Sequence, residues 1–211
     1  AAGALQIHEG SHVAVLTSVF VGNKVTASTF GGGAVTIENA STASFAGCTF
    51  TGNTSPGIGG AIYGVTGNLT VANSILWGNN DNSGSGAASQ LASEAAAVIE
   101  VHHSDVQGGY PGTGNLNFDP MLAPDGMHIA QFSPCVDAGD PTFAPGVGSF
   151  DIDGQSRLAN CNVDMGVDEI VFNGAPHSGD FSGNGTTDLA DISVFVSVLL
   201  NGSAVCVADL N

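Results

Sequence analysis

Apolar and polar residues alternate in short segments along the first 100 residues, and glycine-rich turns separate these segments. The clearest alternations lie at residues 13–16, 35–37, 69–71 and 98–101. A period of two predicts β-strands that bury one side. The turns also repeat, as Gly22-Asn23, Gly52-Asn53 and Gly78-Asn79, and as Gly-Gly-Ala at residues 32–34 and 59–61. Strands that recur at such spacings with no helix between them predict a solenoid.

The predicted fold class is all-β, with a right-handed parallel β-helix over residues 1–110. One turn of chain is too small to bury its own apolar side chains, but stacked turns bury them in one continuous column. Asparagine at the same corner of each turn can adopt left-handed geometry and bond the turns above and below. Glycine fits corners where a side chain would clash. A β-sandwich with coincidental Gly-Asn turns is the alternative.

The hydrophobic period changes near the C-terminus, where it predicts a small α-helical module. Apolar residues spaced as i, i+3, i+4, i+7 and i+8 form one helix face: Ile192, Phe195, Val196, Leu199 and Leu200. This spacing is typical of an amphipathic helix. Asn201-Gly202 supplies a stop signal after it.

A candidate calcium loop precedes this helix. Oxygen-bearing side chains fall at loop positions 1, 3, 5, 9 and 12: Asp180, Ser182, Asn184, Asp188 and Asp191. Gly185 stands at the sharp turn, and Thr186 at position 7 can offer its carbonyl. This is the ligand order of an EF-hand loop, so the predicted cofactor is Ca²⁺. An Asx-rich turn before a helix is the alternative.

The same pattern begins again at Asp209 and Asn211, after which the sequence stops. We therefore expect the sequence to be part of a longer protein. Residues 179–211 resemble a type I dockerin with its second repeat incomplete. The resemblance implies a cohesin-like partner and a polysaccharide-degrading assembly. Leu189 and Ala190, at positions that help dockerins choose their cohesin, depart from the usual small polar pair.

A second resemblance covers the segment between the strands and this module. Its ordered motifs lie at residues 103–110, 117–120, 133–140, 151–157 and 163–169. They resemble the last turns and C-terminal cap of choice-of-anchor β-helix proteins, which are secreted bacterial proteins ending in a surface-attachment module. The short turn motifs also resemble repeats of polymorphic outer-membrane adhesins. We assign residues 111–170 to the last turn and cap and 171–178 to a linker.

The cap has physical support in the sequence. Five prolines between residues 120 and 145 interrupt regular pairing, and an irregular polar lid is what the open end of a solenoid needs. Arg157 lies among acidic residues, and we predict that it forms a structural ion pair with one of them: Asp151, Asp153, Asp164 or Asp168.

Charge excludes one class of partner. The chain has 2 Lys+Arg against 19 Asp+Glu, for a net charge of −17, whereas nucleic-acid binding depends on cations that neutralise phosphates. No apolar run is long enough to cross a bilayer, so we expect no transmembrane segment. Cys135 and Cys161 form a plausible disulfide for an oxidising compartment, Cys48 is predicted to be buried, and Cys206 could pair beyond the sequence.

Catalytic residues are sparse. Lyases of the β-helix fold generally need a basic side chain, and hydrolases need clustered carboxylates, but residues 1–90 contain only Lys24, Glu9, Glu38 and Asp81. The weak catalytic candidates are His103 and Asp105, which would share one face of a strand while His102 points away. A polar outer face on the last turn is the favoured alternative.

Two further patterns look like metal sites but are not predicted to be such. His8 and His12 lie among strand and turn residues, and Asp151-Ile152-Asp153-Gly154 is interpreted as a turn.

The sequence thus favours a secreted or cell-surface β-helix protein with a calcium-dependent attachment module that contacts carbohydrate or another surface. One alternative is a polysaccharide lyase or glycoside hydrolase with its catalytic residues upstream. Another is a structural stalk or adhesin.

Overall fold

The computed structural model describes residues 2–26, 31–143, 146, 149–159 and 162–171, together with positions 189, 192 and 196. The chain forms a parallel β-solenoid of about 3 turns. The strands are β1 (Leu5–Ile7), β2 (His12–Leu16), β3 (Val19–Val21), β4 (Val35–Ile37), β5 (Ser41–Ala46), β6 (Thr49–Thr51), β7 (Ile62–Ala72), β8 (Ile75–Trp77), β9 (Leu91–His102) and β10 (Asp105–Val106). One short helix, α1 (Ala87–Gln90), precedes β9.

The strands stack into three faces, each built of parallel pairs. The first face contains β1, β4 and the beginnings of β7 and β9. The second contains β2, β5 and the ends of β7 and β9. The third contains β3, β6, β8 and β10. The prediction of a parallel solenoid is confirmed, and the β-sandwich alternative is wrong.

Stacked aromatic side chains fill the interior. Phe20 and Phe50 occupy equivalent positions in successive turns, and their rings stack 4.5 Å apart with an interplanar angle of 2°. Phe45 meets both rings edge-on, at 5.8 and 5.3 Å. Offset-stacked and edge-to-face contacts are the favoured aromatic geometries. The predicted apolar column is therefore present.

A ladder of side-chain amides runs along one corner, half-buried at Asn23 and buried in the later turns. Asn23 Nδ2 donates to Asn53 Oδ1 at 2.9 Å, and Asn53 Nδ2 donates to Asn79 Oδ1 at 2.8 Å. Gln90 ends the described ladder by accepting from Asn79 Nδ2 at 2.7 Å. The predicted bonding between turns is confirmed, but the left-handed geometry belongs to the residue before each asparagine: Gly22, Gly52 and Gly78, with φ of 64°, 64° and 68°.

Close approach between turns explains the Gly-Gly-Ala repeats. A Cβ on Gly60 would lie 2.5 Å from the backbone nitrogen and oxygen of Asn80 in the next turn. A Cβ on Gly33 would lie 2.0 Å from the Gly60 oxygen. Only glycine leaves room for the backbones at this corner, as the sequence predicts.

The segment after β10 covers a side of the solenoid as well as extending its end. Leu116 pairs with Asp105 as a further parallel bridge. Beyond it, the chain turns back over the third face, where Val167 N donates to Thr49 Oγ1 at 3.0 Å. A second core forms between this segment and the outward side chains of the third face, and its buried members are Ile75, Ile129, Cys135 and Met165. The predicted cap therefore buries the outer side of the third face, so that this face is buried on both its inner and its outer side.

Within the part of the chain that the structure describes, no helix is long and apolar enough to cross a membrane.

Candidate functional site

The predicted calcium loop and the start of its repeat lie outside the described residues: Asp180, Ser182, Asn184, Thr186, Asp188, Asp191, Asp209 and Asn211. In the predicted helical module, the three described positions, Leu189, Ile192 and Val196, are helical and exposed. Calcium binding by this module stays a prediction.

The structure does not place His103 and Asp105 on one strand. Strand β9 ends at His102, and His103 has a φ of 46°, so the chain bends before β10 begins at Asp105. Asp105 is buried in the contact with the cap, where its Oδ2 lies 3.4 Å from the Cys135 sulfur. Burial raises the pKa of Asp105 to about 6. The two residues therefore do not share one strand face, as the expected pair of base and orienter would require.

His103 instead joins a cluster with residues that the sequence did not connect to it. Ligand-capable atoms of His102, His103 and Asp140 all lie within 4.8 Å of one another. Nδ1 of His103 is 3.8 Å from Oδ2 of Asp140, and the two imidazole rings are 6.1 Å apart at an angle of 83°. Asp140 belongs to the cap, so only the folding-back of that segment brings it to the corner.

The Asp140 carboxylate is held by its neighbour in the cap. Its Oδ1 accepts the Thr142 N–H at 2.8 Å and the Thr142 hydroxyl at 2.7 Å. These bonds, with a smaller contribution from His103 and His102, hold the pKa of Asp140 below its ordinary value. An ionised carboxylate therefore faces two imidazoles at this corner.

A second cluster is centred on His128, which is bonded through both ring nitrogens. Nδ1 lies 2.6 Å from Asp125 Oδ2, and Nε2 lies 3.4 Å from Asp153. The bond to Asp125 raises the pKa of His128. Each ring nitrogen of His128 contacts a carboxylate, one from Asp125 and one from Asp153. The imidazole therefore links two loops of the cap. Asp151 Oδ1 accepts the N–H groups of Asp153 and Gln155, so the predicted turn there is confirmed.

Arg157 has a structural role, as predicted, but its ionic partner is different. The guanidinium is buried, with Nη1 3.7 Å from Glu169 Oε2. It also donates to the carbonyl oxygens of Asp164 at 2.9 Å and Asp168 at 3.2 Å. The aspartates that surround it in sequence instead accept backbone N–H groups of the cap through their carboxylates, including Ile129 N to Asp168 and Ile170 N to Asp164.

The cysteines give one confirmed prediction and one correction. Cys48 is fully buried, and burial raises the pKa of its thiol to about 11. Cys135 is a free, buried thiol that donates to Asp105, which contradicts the suggested disulfide to Cys161. The Cys135 side chain packs in the second core, where burial raises the pKa of its thiol. Cys161 and Cys206 lie outside the described residues.

The outer surface of the second face combines small side chains with larger exposed ones, including Leu16 and Val98. Its strand register aligns Ser44 with Thr70 and Glu100, and Ala46 with Ala72 and His102. The inward partners on the same strands are buried or half-buried apolar residues, whereas Ser44 and Thr70 are half-buried and Glu100 is exposed. The side chains of this face therefore remain accessible, in contrast to the third face.

In comparisons with known proteins, no family model, no curated protein and no solved structure matches this chain. The fold and the clusters above are what define it: a parallel β-solenoid with a laterally packed, acid-rich cap.

Proposed function

We propose that this protein is an extracellular or cell-surface attachment protein whose solenoid binds neutral polysaccharide and whose C-terminal module docks in a calcium-dependent way. The observation that carries the proposal is the accessible second face. Ser44 on β5 and Thr70 on β7 place two hydroxyl-bearing side chains next to each other, with Ala14 on β2 at one side and Glu100 on β9 at the other. An accessible row of hydroxyl and carboxylate oxygens suits an extended chain that offers many hydroxyl groups.

Charge supports a neutral ligand over an acidic one. The chain carries a net charge of −17, with only Lys24 and Arg157 as permanent cations. Arg157 is buried in the cap and Lys24 is exposed on the solenoid. A polyuronate would therefore be repelled at low ionic strength, whereas a neutral polysaccharide would not be.

Binding to insoluble polysaccharides tests the role of the second face. We expect the chain to be retained on at least one neutral polymer from a panel of cellulose, xylan and chitin. Ser44→Arg and Thr70→Arg should each weaken retention about tenfold, equivalent to 1.4 kcal/mol, because each replaces a small hydroxyl-bearing side chain with a long charged one that would keep the ligand away from the surface. Asn82→Arg, at an exposed turn position, is the matched control and should bind like the unchanged chain.

Equal retention of all these variants would contradict the proposed face. The same incubations can be assayed for new reducing ends and unsaturated uronates. Their appearance would contradict pure attachment and favour the enzyme alternative. Retention in the presence of a calcium chelator would show that the solenoid, and not the calcium-dependent docking module, binds the polysaccharide.

The calcium module has its own test. In the full chain, Asp180→Ala and Asp188→Ala should each abolish the calcium-dependent gain of helical circular dichroism, because each removes a carboxylate from the predicted loop. The fit of the loop to Ca²⁺ predicts half-saturation in roughly the 10⁻⁵ to 10⁻³ M range. Identical spectra of the unchanged chain with calcium and with chelator would disprove calcium-dependent ordering. A cohesin-like protein is the partner that this module would take.

A further inference from the structure

We propose that His102, His103 and Asp140 form a binding site for a divalent transition-metal ion, with Zn²⁺ as its preferred occupant. The site lies where the second face ends and the cap returns to the solenoid. It is separate from the predicted calcium loop and does not depend on polysaccharide binding.

The spacing of the ligand atoms is close to what zinc needs. Zinc–nitrogen and zinc–oxygen bonds of about 2.0–2.2 Å in a tetrahedron place neighbouring ligand atoms roughly 3.3 Å apart. His103 Nδ1 and Asp140 Oδ2 are already 3.8 Å apart, and all three ligand atoms lie within 4.8 Å of one another. Small side-chain rotations suffice to bring them onto one ion.

The His103 nitrogen that faces Asp140 has an unmet bonding requirement. His103 Nδ1 is buried and has no hydrogen-bond partner, and at 3.8 Å the Asp140 oxygen is beyond hydrogen-bonding distance. A buried polar atom left without a partner costs free energy. A metal ion between this nitrogen and the carboxylate would satisfy both.

The backbone and its neighbours hold these ligands in place. The corner residue of each layer is left-handed, with φ of 43° at Thr17, 62° at Gly47, 48° at Asn73 and 46° at His103. This corner geometry is what allows two consecutive histidines to approach the same point, since on a regular strand they would face opposite sides.

The ring of His103 is packed closely against the cap. A Cβ on Gly114 would lie 2.2 Å from its Cδ2 atom, so only glycine leaves space for the ring there. Thr142 holds one oxygen of Asp140 through two hydrogen bonds, which leaves the other oxygen toward the imidazoles. Such outer contacts orient the ligands of natural metal sites.

The donor set selects the kind of metal. Two imidazoles and one carboxylate suit zinc and its transition-metal neighbours, whereas calcium and magnesium prefer oxygen donors. The three side chains are half-buried, so water or a substrate atom can supply a fourth ligand. The group around His128 differs, because both of its ring nitrogens already contact carboxylates.

Calorimetric titration of the full chain with Zn²⁺, in millimolar Ca²⁺ to fill the predicted loop, tests the proposal. We expect one site, which His103→Asn and Asp140→Asn each weaken by roughly 100-fold or more and Thr142→Ala weakens by about tenfold. Asn suits position 103 because Asn73 occupies the same corner one layer earlier. His128→Asn and His12→Asn are the matched controls and should leave zinc affinity unchanged.

Absence of zinc binding, or a site lost with His128→Asn and kept with His103→Asn, would overturn the proposal. Thermal unfolding of each variant checks that its fold is intact. A second measurement needs no substitution: Co²⁺ added to the unchanged chain should shift the imidazole NMR signals of His102 and His103 much more strongly than those of His128 and His12. The opposite pattern would also overturn it.

Discussion

Replacing Asn53 by alanine should destabilise the folded chain by about 3–5 kcal/mol, because several buried polar groups lose their partners at once. The side chain is fully buried. Its Oδ1 accepts from the backbone and side chain of Asn23, both at 2.9 Å. Its Nδ2 donates to the Phe20 carbonyl at 2.8 Å and to Asn79 Oδ1 at 2.8 Å. Alanine would remove the side-chain partner of the Phe20 carbonyl and of both Asn23 groups, whereas Asn79 Oδ1 would keep the bond from the Asn53 backbone N–H at 3.0 Å.

Denaturant unfolding followed by circular dichroism would measure this effect, with Asn68→Ala as the matched control. Asn68 is exposed on the second face, so its removal should change the free energy of unfolding by less than about 0.5 kcal/mol. Asn79→Ala should resemble Asn53→Ala, and the double variant should cost less than the sum because the two side chains bond each other. A loss below about 1 kcal/mol for Asn53→Ala would show that the ladder is not a main source of cohesion between turns.

The periodic part of this fold is readable from the sequence because stacking forces equivalent residues into equivalent positions. The recurrence of Asn23, Asn53 and Asn79 predicts the amide ladder, and the repeated Gly-Gly-Ala predicts the close contacts at Gly33 and Gly60. The sequence is less informative about which residue of a Gly-Asn pair is left-handed. Both residue types tolerate that conformation, and the geometry of the corner assigns it to glycine.

The candidate site could be predicted only in part, because its histidines belong to the periodic solenoid and its aspartate belongs to the irregular cap. His102 and His103 stand out in the sequence, but strand alternation wrongly pairs His103 with Asp105. The corner at His103 breaks that alternation, and Asp140 reaches it through an irregular segment that has no period to read. The sequence also does not indicate that Glu169 is the ionic partner of Arg157. The acidic residues nearest to Arg157 in sequence accept backbone N–H groups instead.

The buried acids of the cap make folding stability depend on pH. Burial raises the pKa of Asp164 to about 7 and that of Glu169 to about 8, and Arg157 opposes both shifts. Carboxyl groups with a raised folded pKa bind protons more tightly in the folded chain than in the unfolded chain. Their contribution to folding stability is fully present below the unfolded pKa of about 4, and it is lost as the pH rises through the folded pKa values of about 7 to 8. The chain should therefore be more stable at pH 5 than at pH 9.

Replacing Arg157 by methionine should cost about 3–5 kcal/mol at pH 9, because breaking a buried ion pair leaves an uncompensated charge. The carbonyl oxygens of Asp164 and Asp168 also lose their donors. At pH 5 the cost should fall, since the neighbouring Asp164 and Glu169 carboxyls are then protonated in the folded chain. Lys24→Met is the matched control: it removes the only other Lys or Arg charge, from an exposed position, and should change stability by less than about 0.5 kcal/mol.

Denaturant unfolding of the unchanged chain, Arg157→Met, Glu169→Gln and the double variant at pH 5 and pH 9 would measure the coupling. Glutamine keeps the shape of Glu169 and an oxygen to accept the Asp164 N–H, which Glu169 Oε2 now accepts at 3.1 Å, but it carries no charge. Glu169→Gln should therefore flatten the pH dependence and reduce the cost of Arg157→Met. An equal cost of Arg157→Met at both pH values, with or without Glu169→Gln, would show that Arg157 acts through packing and its carbonyl bonds alone.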